Sequence, residues 1–456
     1  MSKAAIDFFE SNYDLLMSEL FDFLSIPSVS TAPEHKENVQ KAARFIADKL
    51  REIGMENVQV FPTARHPIVY ADYLHAGSEQ STILIYGHYD VQPEDPIELW
   101  HTDPFKPTII GDNLYARGAS DMKGQIYACV SAVQSLKSTI GIPVNIKFIL
   151  EGEEEIGSPN LKDFLIKHKD LLKSDVALNP DAGMSRKDLP SITYGLRGLS
   201  YFELNIYGPD HDLHSGSYGG VVHNPAQVLA DLISKMHDES GKVTLPGFYD
   251  LVEPLSDFER KELSKYRTSE EEYKQQTGVP ALWGDKDFSP SERIGARPTL
   301  EVNGILSGFT GEGSKTIIPT MAMAKISTRL VPNQKPELVY GQLQEFLKAN
   351  APETVRWELK ELSIGSPSLS DIHVPASKAL AKAFELVWGT SPAYKREGGS
   401  VPVVADMQKH LEIDSVLTGF GLPDDRIHSP NEKLDLPTWR KGVHALIHFF
   451  LNVKKA

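Results

Sequence analysis

Residues 81–90, STILIYGHYD, join a short apolar run to a histidine and an aspartate. Residues 144–158, VNIKFILEGEEEIGS, repeat this pattern with a second apolar run that ends on acidic residues. Continuous apolar runs of this length, rich in β-branched residues, are typical of parallel strands buried on both faces. Because helical stretches separate the runs, the sequence predicts βαβ units and a mostly parallel sheet covered by helices.

The same rhythm extends over residues 1–195 and returns at the C-terminus, where 377–389 and 437–453 are predicted helices around the apolar run 414–421. We therefore predict one α/β catalytic domain built from residues 1–195 and 373–456. A different pattern separates its two parts, so the second domain is predicted as an insertion.

Residues 196–372 show alternating runs such as 201–208 and 320–332, which are typical of half-exposed antiparallel strands. Asn224 and Pro225 suit the cap and first position of a helix. The expected domain is α+β, with helices on one face of an antiparallel sheet. Within it, residues 239–298 are highly charged and predict a surface insertion whose role the sequence leaves open.

The composition of the chain limits the partners and the location that can be expected for it. The chain has 456 residues, a formal charge of −15 and no basic block, which argues against nucleic acid and anionic membranes as partners. Neither a signal peptide nor a membrane-spanning stretch is expected. The single cysteine, Cys129, lies in an apolar helical stretch and suits packing, with a catalytic cysteine as the alternative. One cysteine fits a reducing compartment, so a cytoplasmic location is expected.

Residues of metal-ligand type follow the apolar runs or lie in the loops beyond them: His88, Asp90, Asp121, Glu154, Glu155, Asp181 and His428. Ligands of open parallel sheets collect beyond the carboxyl ends of the strands. Imidazole and carboxylate groups without thiolates suit a pair of divalent ions, with zinc as the first expectation and manganese or cobalt as alternatives. The pattern indicates a metal-dependent hydrolase.

Spacing suggests roles for some of these residues. His88 and Asp90 are two apart and point the same way on an extended segment, so Asp90 can fix the ring of His88. One of Glu154 and Glu155 can bind metal while the other serves as general base. Each residue taken singly also fits a solvated loop or a turn, and only their joint placement favours a site. Residues 397–402, EGGSVP, are either a turn or a loop that offers donors to a ligand.

Seven motifs occur in order along nearly the whole chain: GHYDVQP, RGASDMKG, EGEEEIGS, NPDA, DLHSG, REGGSVP and GLPDDRIHSPNE. Together they resemble the co-catalytic metallopeptidase family of carnosinase-like cytosolic dipeptidases, glutamate carboxypeptidase, aminoacylase and succinyl-diaminopimelate desuccinylase. The resemblance implies a phosphorylase/hydrolase-like catalytic domain with an inserted, ferredoxin-like lid that forms a homodimer.

The resemblance also implies a role for each metal-site residue. Asp121 would bridge both ions, and its peptide bond to Met122 would be cis. The remaining ligands would divide between the two ions, His88 and Asp181 on one and Glu155 and His428 on the other. Glu154 would be the general base, and Asp90 the acid that orients a ligand.

In the lid, the resemblance implies that His214 reaches the active site of the partner subunit. Thr316, Arg329 and Ser400 would hold the carboxylate of the substrate. The implied reaction is hydrolysis of the peptide bond of a dipeptide, a small-molecule substrate. The alternatives are an N-acyl amino-acid deacylase or a C-terminal exopeptidase of the same family. A non-catalytic ligand-binding protein on the same fold is a further alternative, which the spare glutamate beside the metal ligand disfavours.

Overall fold

The computed structural model describes residues 2–265, 269–399 and 402–455. Its chain forms two compact units. The first comprises Met1–Tyr194, Ser370–Lys395 and Val403–Ala456, and the second comprises Gly195–Leu369 and Arg396–Pro402. The limits 1–195, 196–372 and 373–456 stay a prediction about folding domains.

The α-helices of the described residues are α1 (Ser2–Ser11), α2 (Tyr13–Leu24), α3 (Lys36–Glu52), α4 (Lys123–Lys137), α5 (Leu161–Lys167), α6 (Lys169–Leu172), α7 (Ser215–Tyr218), α8 (Pro225–Lys235), α9 (Asp257–Ser264), α10 (Glu270–Thr277), α11 (Pro290–Ala296), α12 (Pro336–Asn350), α13 (Pro375–Trp388), α14 (Pro402–Asp406) and α15 (Leu436–Asn452). The strands are β1 (Glu56–Phe61), β2 (Ile68–Tyr73), β3 (Thr82–His88), β4 (Thr108–Ile110), β5 (Asn113–Tyr115), β6 (Asn145–Glu151), β7 (Val176–Asn179), β8 (Ser191–Leu196), β9 (Gly198–Tyr207), β10 (Leu213–His214), β11 (Thr299–Ser307), β12 (Ile317–Ile318), β13 (Met321–Leu330), β14 (Arg356–Gly365), β15 (Ser368–Leu369), β16 (Ala393–Glu397), β17 (Ser415–Leu417) and β18 (Lys433–Asp435).

The first unit is built on the predicted sheet, in which β1-β2-β6-β3-β7-β17-β8 are neighbours in this order. The central strands β6, β3, β7 and β17 run parallel, and antiparallel pairs flank them. Every residue of β6 and β7 is buried, which explains why these strands are continuous apolar runs in the sequence. Helices α4, α13 and α15 pack together in the same core.

The second unit contains a four-stranded antiparallel sheet of order β11-β13-β9-β14. With α8 after β9 and α12 after β13, the chain order is βαββαβ, the ferredoxin-like arrangement predicted for the lid. The two helices contact the same sheet, and their apolar residues share a core with alternate residues of the strands. The predicted helix start is confirmed, because the Asn224 side chain accepts a hydrogen bond from the Ala226 amide.

Two local features were not predicted from the sequence. The N-terminal segment forms two helices, α1 and α2, interrupted at Asn12, whose side-chain amide donates to the carbonyl of Phe8. The described residues of the charged insertion form three helices, α9, α10 and α11, each of which begins with a serine–glutamate capping box. Within the described part of the chain, none of the helices has the length and apolarity needed to cross a membrane.

Candidate active site

The carboxyl ends of three adjacent strands bring the predicted ligands together. His88 is the last residue of β3, Asp181 lies two residues beyond β7, and Glu154 and Glu155 lie in a single 3₁₀ turn beyond β6. Because β3 lies between β6 and β7 and all three run parallel, their ends open at one edge of the sheet. The predicted ligand residues therefore lie together at the carboxyl ends of the parallel strands.

Two loops complete the cluster. Asp121 precedes α4, and its two carboxylate oxygens face different histidines. Asp121 Oδ1 lies 3.1 Å from His88 Nε2, and Asp121 Oδ2 lies 3.0 Å from His428 Nε2. The peptide bond between Asp121 and Met122 is cis, as predicted. An aspartate with one oxygen toward each imidazole has the arrangement that a bridging ligand requires.

The ligand atoms form two groups that share Asp121. In each group the atoms lie within 4.8 Å of one another, and the groups are His88–Asp121–Asp181 and Asp121–Glu155–His428. A third group of the same compactness is His88–Glu154–Glu155, with Glu154 Oε2 4.0 Å from His88 Nε2. Geometry alone therefore places Glu154 beside the ligands without separating the base from the ligand.

The crowding of buried carboxylates in this cluster favours bound cations. Burial first, and then the charges of Asp181 and Asp121, raise the pKa of Glu154 to about 7. Burial and the neighbouring Asp121 raise the pKa of Glu155 to about 8. Carboxylates crowded in a buried place keep their charges only when something positive lies among them. Two imidazoles and four carboxylates without a thiolate fit a pair of zinc, manganese or cobalt ions.

Asp90 holds both ligand groups in place, although partly through its backbone. The His88 ring contacts the Asp90 carbonyl oxygen, with 3.1 Å between Nδ1 and O, and its Nδ1 lies 3.5 Å from the Asp90 carboxylate. The Asp90 carboxylate accepts a hydrogen bond from the Glu155 amide at 3.1 Å. A proton kept on Nδ1 leaves His88 Nε2 free to bind metal. Asp90 thus links the strand-end histidine to the glutamate turn.

The sequence profile described as Peptidase family M20/M25/M40 matches residues 84–452. The chain belongs to this peptidase family. It is 33% identical to the Cys-Gly metallodipeptidase DUG1 of Candida albicans, over 94% of this chain and 93% of that protein. Family membership confirms the prediction of a metal-dependent peptide hydrolase with a candidate dinuclear site.

Solved M20 structures agree over almost the full length. Human carnosine dipeptidase 1 matches with a TM-score of 0.83 and 30% identity, covering 99% of this chain and 98% of that chain. The M20 family metallo-carboxypeptidase Sso-CP2 from Sulfolobus solfataricus matches with a TM-score of 0.86 and 35% identity, covering 96% of this chain and 99% of that chain. The predicted fold class is confirmed by these neighbours.

Glu432 lies beside the candidate ligands and was not predicted from the sequence. Its buried carboxylate accepts hydrogen bonds at 3.0 Å from the backbone amides of Gly118, Ser120 and Asp121, and pairs with Arg117 at 2.9 Å. Glu432 thereby fastens the loop that carries the shared aspartate. Glu432 is the last residue of the motif GLPDDRIHSPNE, in which only His428 was predicted as a site residue.

The second unit does not gather the remaining predicted residues in one place. His214 on β10 pairs with Ile317 on β12, next to Thr316. Arg329 lies near the opposite end of β13, eight residues beyond Met321, a distance of about 26 Å along an extended strand. Strand β12 ends three residues before β13 begins at Met321, so the β10–β12 pair is connected to the end of β13 that is far from Arg329. Ser400 lies outside the described residues.

Cys129 is fully buried within α4. Burial raises the pKa of its thiol well above the ordinary value, which disfavours the reactive thiolate. This supports packing rather than catalysis for the cysteine.

Proposed function

We propose that this M20 peptidase is a dipeptidase that works with two divalent ions and with Glu154 as its general base. The observation that carries the proposal is the pair of ligand groups that share Asp121, with Glu154 next to them in a third group with His88 and Glu155. The choice of Glu154 as the base follows the family resemblance. His88 and Asp181 would hold one ion, and Glu155 and His428 the other. Zinc suits this donor set, and manganese or cobalt are the alternatives.

Bound ions of this kind lower the pKa of water and polarise the scissile carbonyl. Glu154 removes the proton from the attacking water and later gives it to the leaving amine. Glu154 lies next to the residues that would hold the ions, which suits a carboxylate that accepts a proton from water and returns it to the leaving amine. Asp90 keeps His88 oriented, and Glu432 keeps the loop of Asp121 in place.

The substrate would be held from the second unit. Arg329 suits the substrate carboxylate because guanidinium binds it in a bidentate manner, and Thr316 and Ser400 would assist. His214 would stabilise the developing oxyanion. Its Nδ1 accepts a hydrogen bond from the Gly216 amide, so the ring proton of the neutral form is on Nε2, where a donor is needed.

The spacing of these residues supports a homodimer. A dipeptide spans only about 7 Å. One lid that separates Arg329 from His214 and Thr316 by the length of β13 cannot offer all three to the same dipeptide. Two chains can, if each active site uses its own Arg329 and the partner's His214 and Thr316.

A second candidate function is C-terminal exopeptidase activity. The observation that favours it is the 35% identity to Sso-CP2, which is named a metallo-carboxypeptidase. Hydrolysis of N-acyl amino acids is a third candidate activity, and the same substrate screen tests it. A cytoplasmic location stays a prediction from the single cysteine.

A hydrolysis screen separates these candidates. The protein is stripped with a chelator and reloaded with zinc, manganese or cobalt, and each form is assayed on unblocked dipeptides, N-acetyl amino acids and longer peptides. We expect activity on dipeptides that disappears without metal and returns with about two ions per chain. Activity that survives complete metal removal would contradict the proposal. Preference for longer peptides would favour the exopeptidase.

A further inference from the structure

A third glutamate, Glu153, directly precedes the predicted base and ligand and belongs to none of the three ligand groups found among the described residues. Its side chain is only 2% exposed. One carboxylate oxygen accepts hydrogen bonds from the Thr63 hydroxyl at 2.8 Å and the His66 backbone amide at 2.7 Å, and the other accepts from the side-chain amide of Asn160 at 2.7 Å. Glu153 therefore ties the glutamate turn to the loop between β1 and β2.

The same loop also contacts the end of β3. Tyr89, which directly follows the predicted ligand His88, is fully buried, and its hydroxyl donates a hydrogen bond to the carbonyl of Pro67. Its ring packs against Gly152, where an added Cβ would lie 2.7 Å from the ring. Residues 63–67 therefore contact two segments of the candidate site, the end of β3 and the turn beyond β6.

The ladder between β3 and β6 ends before it reaches the glutamate turn. Its last pair is His88 with Glu151, and one further backbone hydrogen bond joins the Tyr89 amide to the Glu151 carbonyl at 2.8 Å. Beyond Glu151 the chain leaves the sheet, so side chains must hold it in place. The contact with the Asp90 carboxylate holds the amide of Glu155, and the buried carboxylate described above holds the start of the turn.

We infer that Glu153 is a positioning residue. Through the loop 63–67 it sets the separation between His88 and the two glutamates that follow it in the chain. The inference rests on the roles proposed above for these three side chains and adds a role for a fourth residue and for the loop. Burying a carboxylate is unfavourable unless hydrogen bonds satisfy it, and an apolar side chain would fill the same place without that cost. A requirement for these particular hydrogen bonds explains why a glutamate is there.

The test compares two replacements of Glu153 that have similar length. Glu153→Gln keeps an acceptor oxygen for Thr63 and His66, and the Asn160 amide can turn over to present its oxygen to the new NH₂ group. Glu153→Met leaves all three donors without this acceptor. We expect Glu153→Met to lower metal affinity about 10–100-fold and kcat at saturating metal about tenfold, with KM within about twofold. Glu153→Gln should stay within about threefold of the wild type in each quantity.

Asp72→Leu is the matched control for the loss of a buried carboxylate. Asp72 is also buried and accepts from neutral donors, the Tyr70 hydroxyl at 2.8 Å and the Asn57 side-chain amide at 3.0 Å. It pairs in register with Lys147, four residues before the end of β6. Asp72→Leu should therefore lower the temperature of thermal unfolding, as Glu153→Met does, and leave metal affinity and kcat unchanged.

The measurements are metal titration of the stripped protein, thermal unfolding without metal, and steady-state kinetics on a dipeptide. Wild-type metal affinity and kcat in folded Glu153→Met, or equal losses in Glu153→Gln, would overturn the inference. If Glu153→Met does not fold, Thr63→Val and Tyr89→Phe should each lower metal affinity about threefold, and no change in either would overturn it. Metal titration needs no substrate, so it decides the inference even if no dipeptide is cleaved, an outcome that would overturn only the proposed function.

Discussion

The candidate metal ligands of the first unit and the predicted substrate-binding residues of the second are arranged in different ways. In the first unit, ligands up to 340 residues apart meet because each follows a strand or is fastened by buried hydrogen bonds. In the second, His214 and Thr316 lie at the β10–β12 pair, which is connected to the Met321 end of β13, and Arg329 lies near the other end of β13. The candidate metal ligands lie together within one unit, whereas the predicted substrate-binding residues lie far apart along β13. Chemistry and substrate selection should therefore respond differently to mutation.

The largest expected loss of turnover follows from replacing Glu154, the predicted general base. Glu154→Gln should lower kcat by about 10²–10⁴-fold, because the water loses its proton acceptor, while bound metal stays near two ions per chain. Glu155→Gln should instead lower the metal content, because Glu155 belongs to the group with Asp121 and His428. The measurements are steady-state kinetics and elemental analysis of both variants. Near-normal turnover of Glu154→Gln would show that the roles of the two glutamates are misassigned.

The separation of His214 from Arg329 within one chain predicts how mixed dimers should behave. His214→Ala should lose about 10²–10³-fold in kcat, as expected for removal of an oxyanion donor. Mixed with Glu154→Gln, it should regain activity, because one site of each heterodimer combines an intact Glu154 with the partner's intact histidine. Random pairing would restore roughly a quarter of wild-type activity.

Each parent, exchanged with itself under the same conditions, is the control for this mixing experiment. Activity of the mixture no higher than that of the parents would mean that His214 acts within its own chain or has no catalytic role. The two units would then differ only in how far apart their predicted residues lie, and the partner subunit would supply none of them.

The sequence predicted the first unit better than the second, for a physical reason. Buried parallel strands are visible as apolar runs, so β3, β6 and β7 and the ligands beyond them followed directly. Glu432 was missed because its partners lie more than 310 residues earlier and meet it only in the folded chain. The insertion looked like solvated surface because its serine–glutamate caps and charged residues dominate its composition. The distance between His214 and Arg329 depends on strand register, which no local pattern reveals.

The carboxylate anchor should affect substrate choice more than chemistry. Arg329→Met should cost about 1.5–3 kcal/mol in kcat/KM for a dipeptide, because a charge-assisted hydrogen bond to its carboxylate is lost. The same substitution should leave the already poor turnover of the C-terminal amide nearly unchanged. Arg51→Met, on the exposed part of α3, is the matched control. If the wild type cleaves the acid and the amide equally well, the anchor is misassigned and the deacylase alternative gains support.

The smallest expected effect on turnover concerns Glu432, which touches no substrate. In Glu432→Gln, one of the two carboxylate oxygens becomes an NH₂ group that faces either the Ser120 and Asp121 amides or the Arg117 and Gly118 donors. Two donors in contact repel, so the loop of Asp121 should shift and metal affinity should fall about 10–100-fold.

Saturating metal should restore most of the kcat of Glu432→Gln, which distinguishes a positioning role from a catalytic one. Metal titration and thermal unfolding with and without metal are the measurements. Glu412→Gln, at a surface ion pair where the glutamate is 76% exposed, should change neither. A folded Glu432→Gln protein with wild-type metal affinity would show that the first unit holds its shared aspartate without this carboxylate. In that case the positions of the strand ends would be enough to keep the candidate ligands together.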